Sequence, residues 1–142
     1  MSNKSYTHYL PAFGRLLMAT IFLMSGLSKL AAPAATIAYI GSIGAPLPAF
    51  GYALAVLVEI GGGALILLGY KTRAAALVIA LYCVATALMF HHALGDQNQM
   101  IHFFKNIAMT GGFLQLAAFG AGTFSLDSRA ARNSSPNVLK AA

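Results

Sequence analysis

Long apolar runs separated by short polar segments dominate the chain. Four of the runs are long enough to cross the roughly 30 Å hydrocarbon core of a bilayer as α-helices, which rise about 1.5 Å per residue. The expected spans are residues 10–31, 50–69, 74–94 and 103–122. The pattern predicts an all-α fold, an integral membrane four-helix transmembrane bundle.

The segment between the first two expected spans is apolar but does not fit a fifth crossing. Residues 34–50 are too few, and Pro46 and Pro48 interrupt them. We therefore expect a short interfacial helix between helices 1 and 2. It would serve either as a simple connector or as a lid over the bundle.

The composition agrees with a chain that lies mostly in lipid. Of its 142 residues, 58% are hydrophobic and only 8% are charged, whereas soluble domains carry about 25% charged residues. The net charge of +6 comes from cations at helix ends and in the C-terminal segment, which argues against a nucleic-acid partner. Cys83 is the single cysteine, so one chain can form neither a disulfide nor a CxxC redox pair.

The distribution of cations predicts the orientation. Four spans place two cations, Lys29 and Lys105, on one side of the membrane, and seven on the side of both termini. The positive-inside rule then makes residues 1–9 a cytoplasmic tail, 10–127 the transmembrane domain and 128–142 a flexible cytoplasmic tail. The seven cations are Lys4, Arg15, Lys71, Arg73, Arg129, Arg132 and Lys140.

Glu59 is the one carboxylate within the expected spans. A charge at mid-depth in lipid costs at least about 2.5 kcal/mol, so it is expected to face protein, water or a polar ligand. Three interpretations remain open. In the first, Glu59 is structural and is either paired with a lysine, Lys29 or Lys105, or hydrogen-bonded by Asn106, Ser25 or Tyr82. In the second, Glu59 exchanges protons or binds a ligand. In the third, it lines an ion path.

The expected outer half of the bundle also holds three histidines, His91, His92 and His102. The first two point about 100° apart on a helix and cannot bind one metal from the same face. Since no HxxxH spacing is present, they are weak metal candidates, and we expect interfacial histidines instead. The sequence contains no phosphate-binding loop, dinucleotide fingerprint or nucleophile elbow.

Three segments in order carry a resemblance to a known family. They are GRLLMATIFLMSGLSKL (14–30), EIGGGALILLG followed by KTRAAA (59–76), and GAGTFSLD (120–127). With these motifs the chain resembles the DoxX family of small bacterial membrane proteins. The resemblance implies four helices in the bacterial inner membrane and an association with quinone-linked oxidoreductases, including thiosulfate:quinone types, or with oxidative-stress complexes. It makes a quinone the candidate cofactor.

The expected function is therefore that of a DoxX-type subunit or accessory protein supporting quinone-linked redox chemistry. Its partners would be the bilayer, redox-enzyme subunits or further copies of itself. Glu59 would accept a proton from, or hydrogen-bond to, a quinone-like headgroup. The binding residues would be Lys29, Lys105, Asn106, Arg15 and Tyr82. The alternatives are a small transporter or channel that uses Glu59, and a non-catalytic assembly factor. Because the sequence has no cysteine pair, haem-ligand pair or flavin motif, we do not expect a self-contained enzyme.

Overall fold

The protein is all-helical throughout the part of the chain that the computed structural model describes, residues 6–134. No strand occurs among these residues, so the predicted all-α class is confirmed. The helices are, in order, α1 (Tyr6–Ala31), α2 (Pro33–Ser42), α3 (Pro48–Leu68), α4 (Thr72–Phe90), α5 (Gln97–Phe119) and α6 (Leu126–Asn133).

Three helices are long and apolar enough to cross a membrane. They are α1 over its 24 residues His8–Ala31, α3 with 21 residues and α4 with 19. Helix α5 is as long, at 23 residues, but its first three turns carry Gln97, Gln99, Lys105 and Asn106 and make it less apolar. Length and composition alone therefore establish three candidate spans within the described residues.

The core lies where α1, α3, α4 and α5 meet. Phe22 on α1 packs edge-to-face against Phe113 on α5, with ring centroids 5.3 Å apart. Glycines let α1 approach α3 closely, because a Cβ on Gly26 would lie 2.7 Å from the side chain of Ile60. Small residues at helix contacts are the usual route to tight packing in lipid.

Helix α3 contains a π-helical turn at Leu57–Gly62, and Glu59 lies within it. Such turns insert one extra residue into an α-helix and are often found at functional sites. Gly61 and Gly62 follow Glu59 after Ile60, and their lack of side chains lowers the steric resistance to widening the turn. The turn sets the direction in which the Glu59 side chain leaves the helix.

Local capping explains where the helices begin and end. Helix α5 starts at Gln97, not near residue 103 as expected, because the Asp96 side chain accepts the N–H of Gln99 at 2.9 Å. Helix α4 ends at Phe90, four residues earlier than expected. Pro33 and Pro48 occupy the first turns of α2 and α3, where a missing N–H has no cost.

One end of the bundle is fastened by a buried arginine. Arg15, only 3% exposed, donates to the carbonyls of Ile66 at 3.0 Å and Leu67 at 2.9 Å, and also to that of Phe124. Ile66 and Leu67 belong to the last turn of α3, whose carbonyls have no N–H partner four residues on within the helix; the Ile66 carbonyl also accepts the N–H of Gly69 at 3.2 Å. Arg15 therefore ties α1 to α3 and to the segment that follows α5.

Asp127 completes this end, which we call the Arg15–Asp127 junction. Its carboxylate accepts the N–H groups of Lys71 at 2.7 Å and Thr72 at 2.9 Å, and so it caps the start of α4 from a distant part of the chain. Its own N–H donates to the carbonyl of Gly69 at 2.9 Å. The motif GAGTFSLD thus has a structural role in joining the ends of α3, α4 and α5.

The C-terminal segment differs from the expected flexible tail of residues 128–142. Residues up to Asn133 are helical, because the Ser125 hydroxyl accepts the N–H of Ser128 at 3.1 Å and starts α6. Helix α1 likewise begins at Tyr6, inside the expected tail of residues 1–9. The rest of both expected tails, residues 1–5 and 135–142, lies outside the described residues.

Candidate functional site

Glu59 lies between two partners contributed by neighbouring helices. Its Oε2 accepts a hydrogen bond from the Lys29 ammonium at 2.9 Å, and its Oε1 accepts one from the Tyr82 hydroxyl at 2.6 Å. Lys29 also donates to the Ser25 hydroxyl at 2.8 Å. The four side chains form one connected group, which we call the Glu59 cluster.

The local sequence explains why these side chains meet. Ser25 and Lys29 are four residues apart on α1 and share one face of the helix. Gly26 lies between them and brings α1 close to α3, since its missing Cβ would lie 3.1 Å from the Cβ of Glu59. Tyr82 reaches Glu59 from α4.

Each member of the cluster reduces the cost of burying its neighbour. The Glu59 side chain is 5% exposed and that of Lys29 is 24% exposed. A lone buried charge would cost several kcal/mol, whereas a hydrogen-bonded pair offsets much of that cost. Of the two lysines considered for this role, Lys29 makes the pair.

The cluster forms part of the wall of a cavity of about 410 Å³. Cavities of roughly 300–1,000 Å³ with apolar walls and a few polar groups are typical of small-molecule sites. Here the apolar walls include Phe22, Ile40 and Met109, and all four cluster residues line the cavity.

A second polar group lines the same cavity. The Thr86 hydroxyl donates to the carbonyl of Cys83 at 3.0 Å and lies 3.2 Å from Oδ1 of Asn106. Asn106 also donates to the carbonyl of His102 at 3.0 Å. Asn106 was a predicted site residue and Thr86 was missed, although Thr86 follows Tyr82 by four residues and so shares its face of α4.

Helix α2 covers the cavity at the end opposite the Arg15–Asp127 junction. Thr36, Tyr39 and Ile40 contribute to its lining, and Tyr39 stacks on Phe90 with ring centroids 5.7 Å apart. The sequence left open whether this segment is a connector or a lid. It joins α1 to α3 and also contributes to the cavity wall.

Two predicted binding residues lie away from the cavity. Arg15 belongs to the Arg15–Asp127 junction at the other end of the bundle, and Lys105 is exposed and does not line the cavity. The structure thus brings Lys29, Tyr82 and Asn106 to the cavity with Glu59, and separates Arg15 and Lys105 from it.

The histidines lie near the covered end of the cavity. His91 lines it, its Nδ1 lies 3.0 Å from Oε1 of Gln99, and its ring stacks on that of His102 with centroids 4.9 Å apart. His92 is exposed. Among residues 6–134 no three histidine, cysteine or carboxylate side chains are grouped so that they could hold a metal ion.

The carboxylate of the Arg15–Asp127 junction, Asp127, follows the last expected span and has a perturbed pKa. Partial burial raises the pKa of Asp127, but the hydrogen bonds from Thr72 and Lys71 and the charge of Arg15 outweigh this effect. The pKa of Asp127 therefore lies below its ordinary value. This arrangement favours a charged carboxylate that holds the fold together.

Comparison with known proteins identifies relatives over most of the chain. The DoxX family model matches residues 10–92, more than half of the chain. Escherichia coli K12 inner membrane protein YphA is 38% identical over 120 residues, covering 81% of this chain and 86% of the relative. Inner membrane protein YqjF of the same organism is 38% identical over 113 residues, covering 80% and 85%. An uncharacterized protein of Haemophilus influenzae is 32% identical over 139 residues, covering 91% of this chain and 97% of the relative.

No solved structure matches the chain significantly. On the family match and these identities, the chain belongs to the DoxX family.

Proposed function

We propose that the protein is an inner-membrane DoxX subunit or accessory protein that binds a quinone-like headgroup beside Glu59 and exchanges a proton with it. The observation that carries this proposal is the connected group of Ser25, Lys29, Glu59 and Tyr82 in the wall of a largely apolar cavity. Inner-membrane placement draws support from the apolar helices and from the two Escherichia coli relatives described as inner membrane proteins.

Headgroup recognition would depend on Lys29. An ammonium has three N–H donors, and the described residues provide two acceptors for it, Ser25 and Glu59. The third N–H is available to a ligand in the cavity, which Lys29 lines. A quinone carbonyl oxygen only accepts hydrogen bonds, so it matches this donor, while the apolar walls accommodate the ring.

Proton exchange would depend on Glu59. A quinol releases two protons and two electrons when it is oxidised to a quinone. Lys29 would first transfer a proton to Glu59 along their hydrogen bond, and the resulting amine would take one proton from the quinol. The second proton would leave to water at the interface, and the two electrons would pass to a redox-enzyme partner. The nearly complete burial of Glu59 keeps bulk water from competing for the same proton.

The proposed membrane topology has four spans with both termini in the cytoplasm. Contacts between α4 and α5 pair residue 80 with 110, 86 with 106 and 91 with 102. The two helices are therefore antiparallel and lie side by side, which supports a crossing by α5 alongside α4. The excess of cations at the end holding Arg15, Lys71 and Arg129 favours a cytoplasmic location for that end, and α2 then lies at the outer interface.

The test is the organic content of the purified protein. We expect mass spectrometry of a solvent extract to find a near-stoichiometric quinone with the wild type, and to find it lost from Glu59→Gln. Lys105→Gln is the matched control, since it removes a cation of α5 that does not line the cavity. Extracts containing phospholipid alone from all three proteins would overturn the proposal.

A further inference from the structure

The cavity opens to the outer surface of the bundle, and one opening lies between α3 and α4. Leu54 on α3 is 46% exposed and Met89 on α4 is 44% exposed, yet both line the cavity together with Glu59. Ala85, one turn before Met89, has the same two properties. A side chain that lines an internal space and also lies on the outer surface marks an opening. Ile21 on α1, which is 51% exposed and also lines the cavity, marks a second one. Leu54 and Ala85 lie within the candidate spans α3 and α4, and Met89 lies near the end of α4, so this opening between α3 and α4 would face lipid close to one interface.

The packing of the helices explains why the opening lies there. In the half nearer the Arg15–Asp127 junction, α3 and α4 are in close contact, since a Cβ on Gly62 would lie 3.0 Å from Ile79. In the other half α3 packs instead against α2, where a Cβ on Gly51 would lie 3.5 Å from Ile40. Helix α2 also covers the end of the cavity through the stack of Tyr39 on Phe90.

We propose that the ligand is a lipid-soluble amphiphile whose apolar tail passes from the cavity into the bilayer between Leu54 and Met89. This inference rests on the proposed function and adds the tail and its route. The polar head would lie at the Glu59 cluster, and the tail would leave past apolar side chains. A tail that stays in hydrocarbon need not be desolvated again on binding, so the ligand can enter sideways without crossing the aqueous surface.

The route distinguishes ligand classes. A small polar solute would have to enter past α2, and no part of it would contact the apolar side chains of the opening. A quinone ring with a prenyl or alkyl chain matches both the polar cluster and the opening. The bound ligand should therefore depend on the tail for part of its affinity, and that part should be sensitive to the side chains at Leu54, Ala85 and Met89.

The experiment compares two probes on matched variants in lipid nanodiscs. The probes are a methylated benzoquinone without a side chain and the same ring carrying a decyl chain. The variants are Met89→Trp, which fills the opening, and Leu88→Trp. Leu88 is the control because it neighbours Met89, is 59% exposed and does not line the cavity. Thermal midpoints are recorded for both variants to confirm that each is folded.

We expect Met89→Trp to weaken binding of the decyl probe by about tenfold or more, with the tail-less probe changed by less than about threefold and Leu88→Trp behaving as wild type. Equal loss of both probes would show a collapsed cavity and overturn the route. Unchanged binding of both probes by Met89→Trp would also overturn the route. So would a result in which only Ile21→Trp, a change in another wall of the cavity, weakens binding of the decyl probe. Failure of the wild type to bind either probe would instead overturn the proposed function itself.

Discussion

Lys29 and Glu59 form an ion pair of 2.9 Å that joins α1 to α3 at the wall of the cavity. The pair links the stability of the bundle to the chemistry of the site, because any ligand that engages Lys29 also affects the balance of charge around Glu59. Changes to either residue should therefore be measured for both stability and ligand binding.

Lys29→Met should destabilise the protein by about 3 kcal/mol, because it leaves the buried Glu59 carboxylate without its counter-charge. The double variant Lys29→Met/Glu59→Gln should recover much of that loss, since no unpaired charge remains. Thermal or denaturant unfolding in detergent measures the coupling through a double-mutant cycle. Additive effects of the two single variants would show that the pair contributes no interaction energy.

Tyr82→Phe should cost roughly 1.5–3 kcal/mol of unfolding free energy, the range for a hydrogen bond to a charged group. The variant removes the donor to Oε1 of Glu59 and leaves the ring in place. Tyr70→Phe is a suitable control, because Tyr70 is 44% exposed and lies in the loop between α3 and α4. A similar small effect of both variants would argue that the Tyr82 hydroxyl is not important to the cluster.

Gly69→Ala should destabilise the junction end of the bundle by at least about 1 kcal/mol. Gly69 has φ +65°, a conformation that side chains disfavour, and a Cβ there would collide with the Arg15 guanidinium. Gly111→Ala is the matched control, since a Cβ at that helical glycine meets nothing within 4 Å, and it should be neutral or slightly stabilising. Equal unfolding midpoints for the two variants would contradict this account of the junction.

Much of the architecture could be predicted because lipid restricts the choices. A long apolar run has to become a helix, and a carboxylate within it has to find a partner. The sequence therefore indicated Glu59 as the residue to explain and included Lys29 and Tyr82 among its candidate neighbours. The π-helical turn at Glu59 was not predicted, because periodicity over so few residues does not distinguish it from an α-helix.

Arg15 was predicted to bind the same ligand as Glu59, but it lies too far along α1 from Lys29 to do so. It shares a face of α1 with Lys29, but fourteen residues of helix separate the two by about 21 Å. The two ends of one helix cannot contribute to one small site. The role of Arg15 at the carbonyls of Ile66 and Leu67 depends on how α3 ends, and that contact between distant segments is not visible in local patterns.

The four-span topology predicts opposite labelling of two engineered cysteines. Replacement of Cys83, the single cysteine of the chain, with alanine gives a background for Gly95→Cys and Arg129→Cys, both at exposed positions. A membrane-impermeant maleimide should label residue 95 in intact spheroplasts, and residue 129 only after lysis. Labelling of both on the same side would contradict a crossing by α5, and reversed labelling would contradict the orientation.

The Arg15–Asp127 junction should make stability depend on pH in the acid range. Because the pKa of Asp127 is lowered in the folded protein, its contribution is fully present above the ordinary value of about 3.9 and is lost as the pH falls through the folded pKa. Asp127→Asn keeps one acceptor for the N–H groups of Lys71 and Thr72 but removes the charge. At pH 7 the variant should therefore unfold at a lower temperature than wild type, and the difference should shrink as the pH is lowered below 4. Thermal scans of both proteins across that range measure it. A difference that stays constant with pH would show that Asp127 acts through hydrogen-bond geometry alone, with no contribution from its charge.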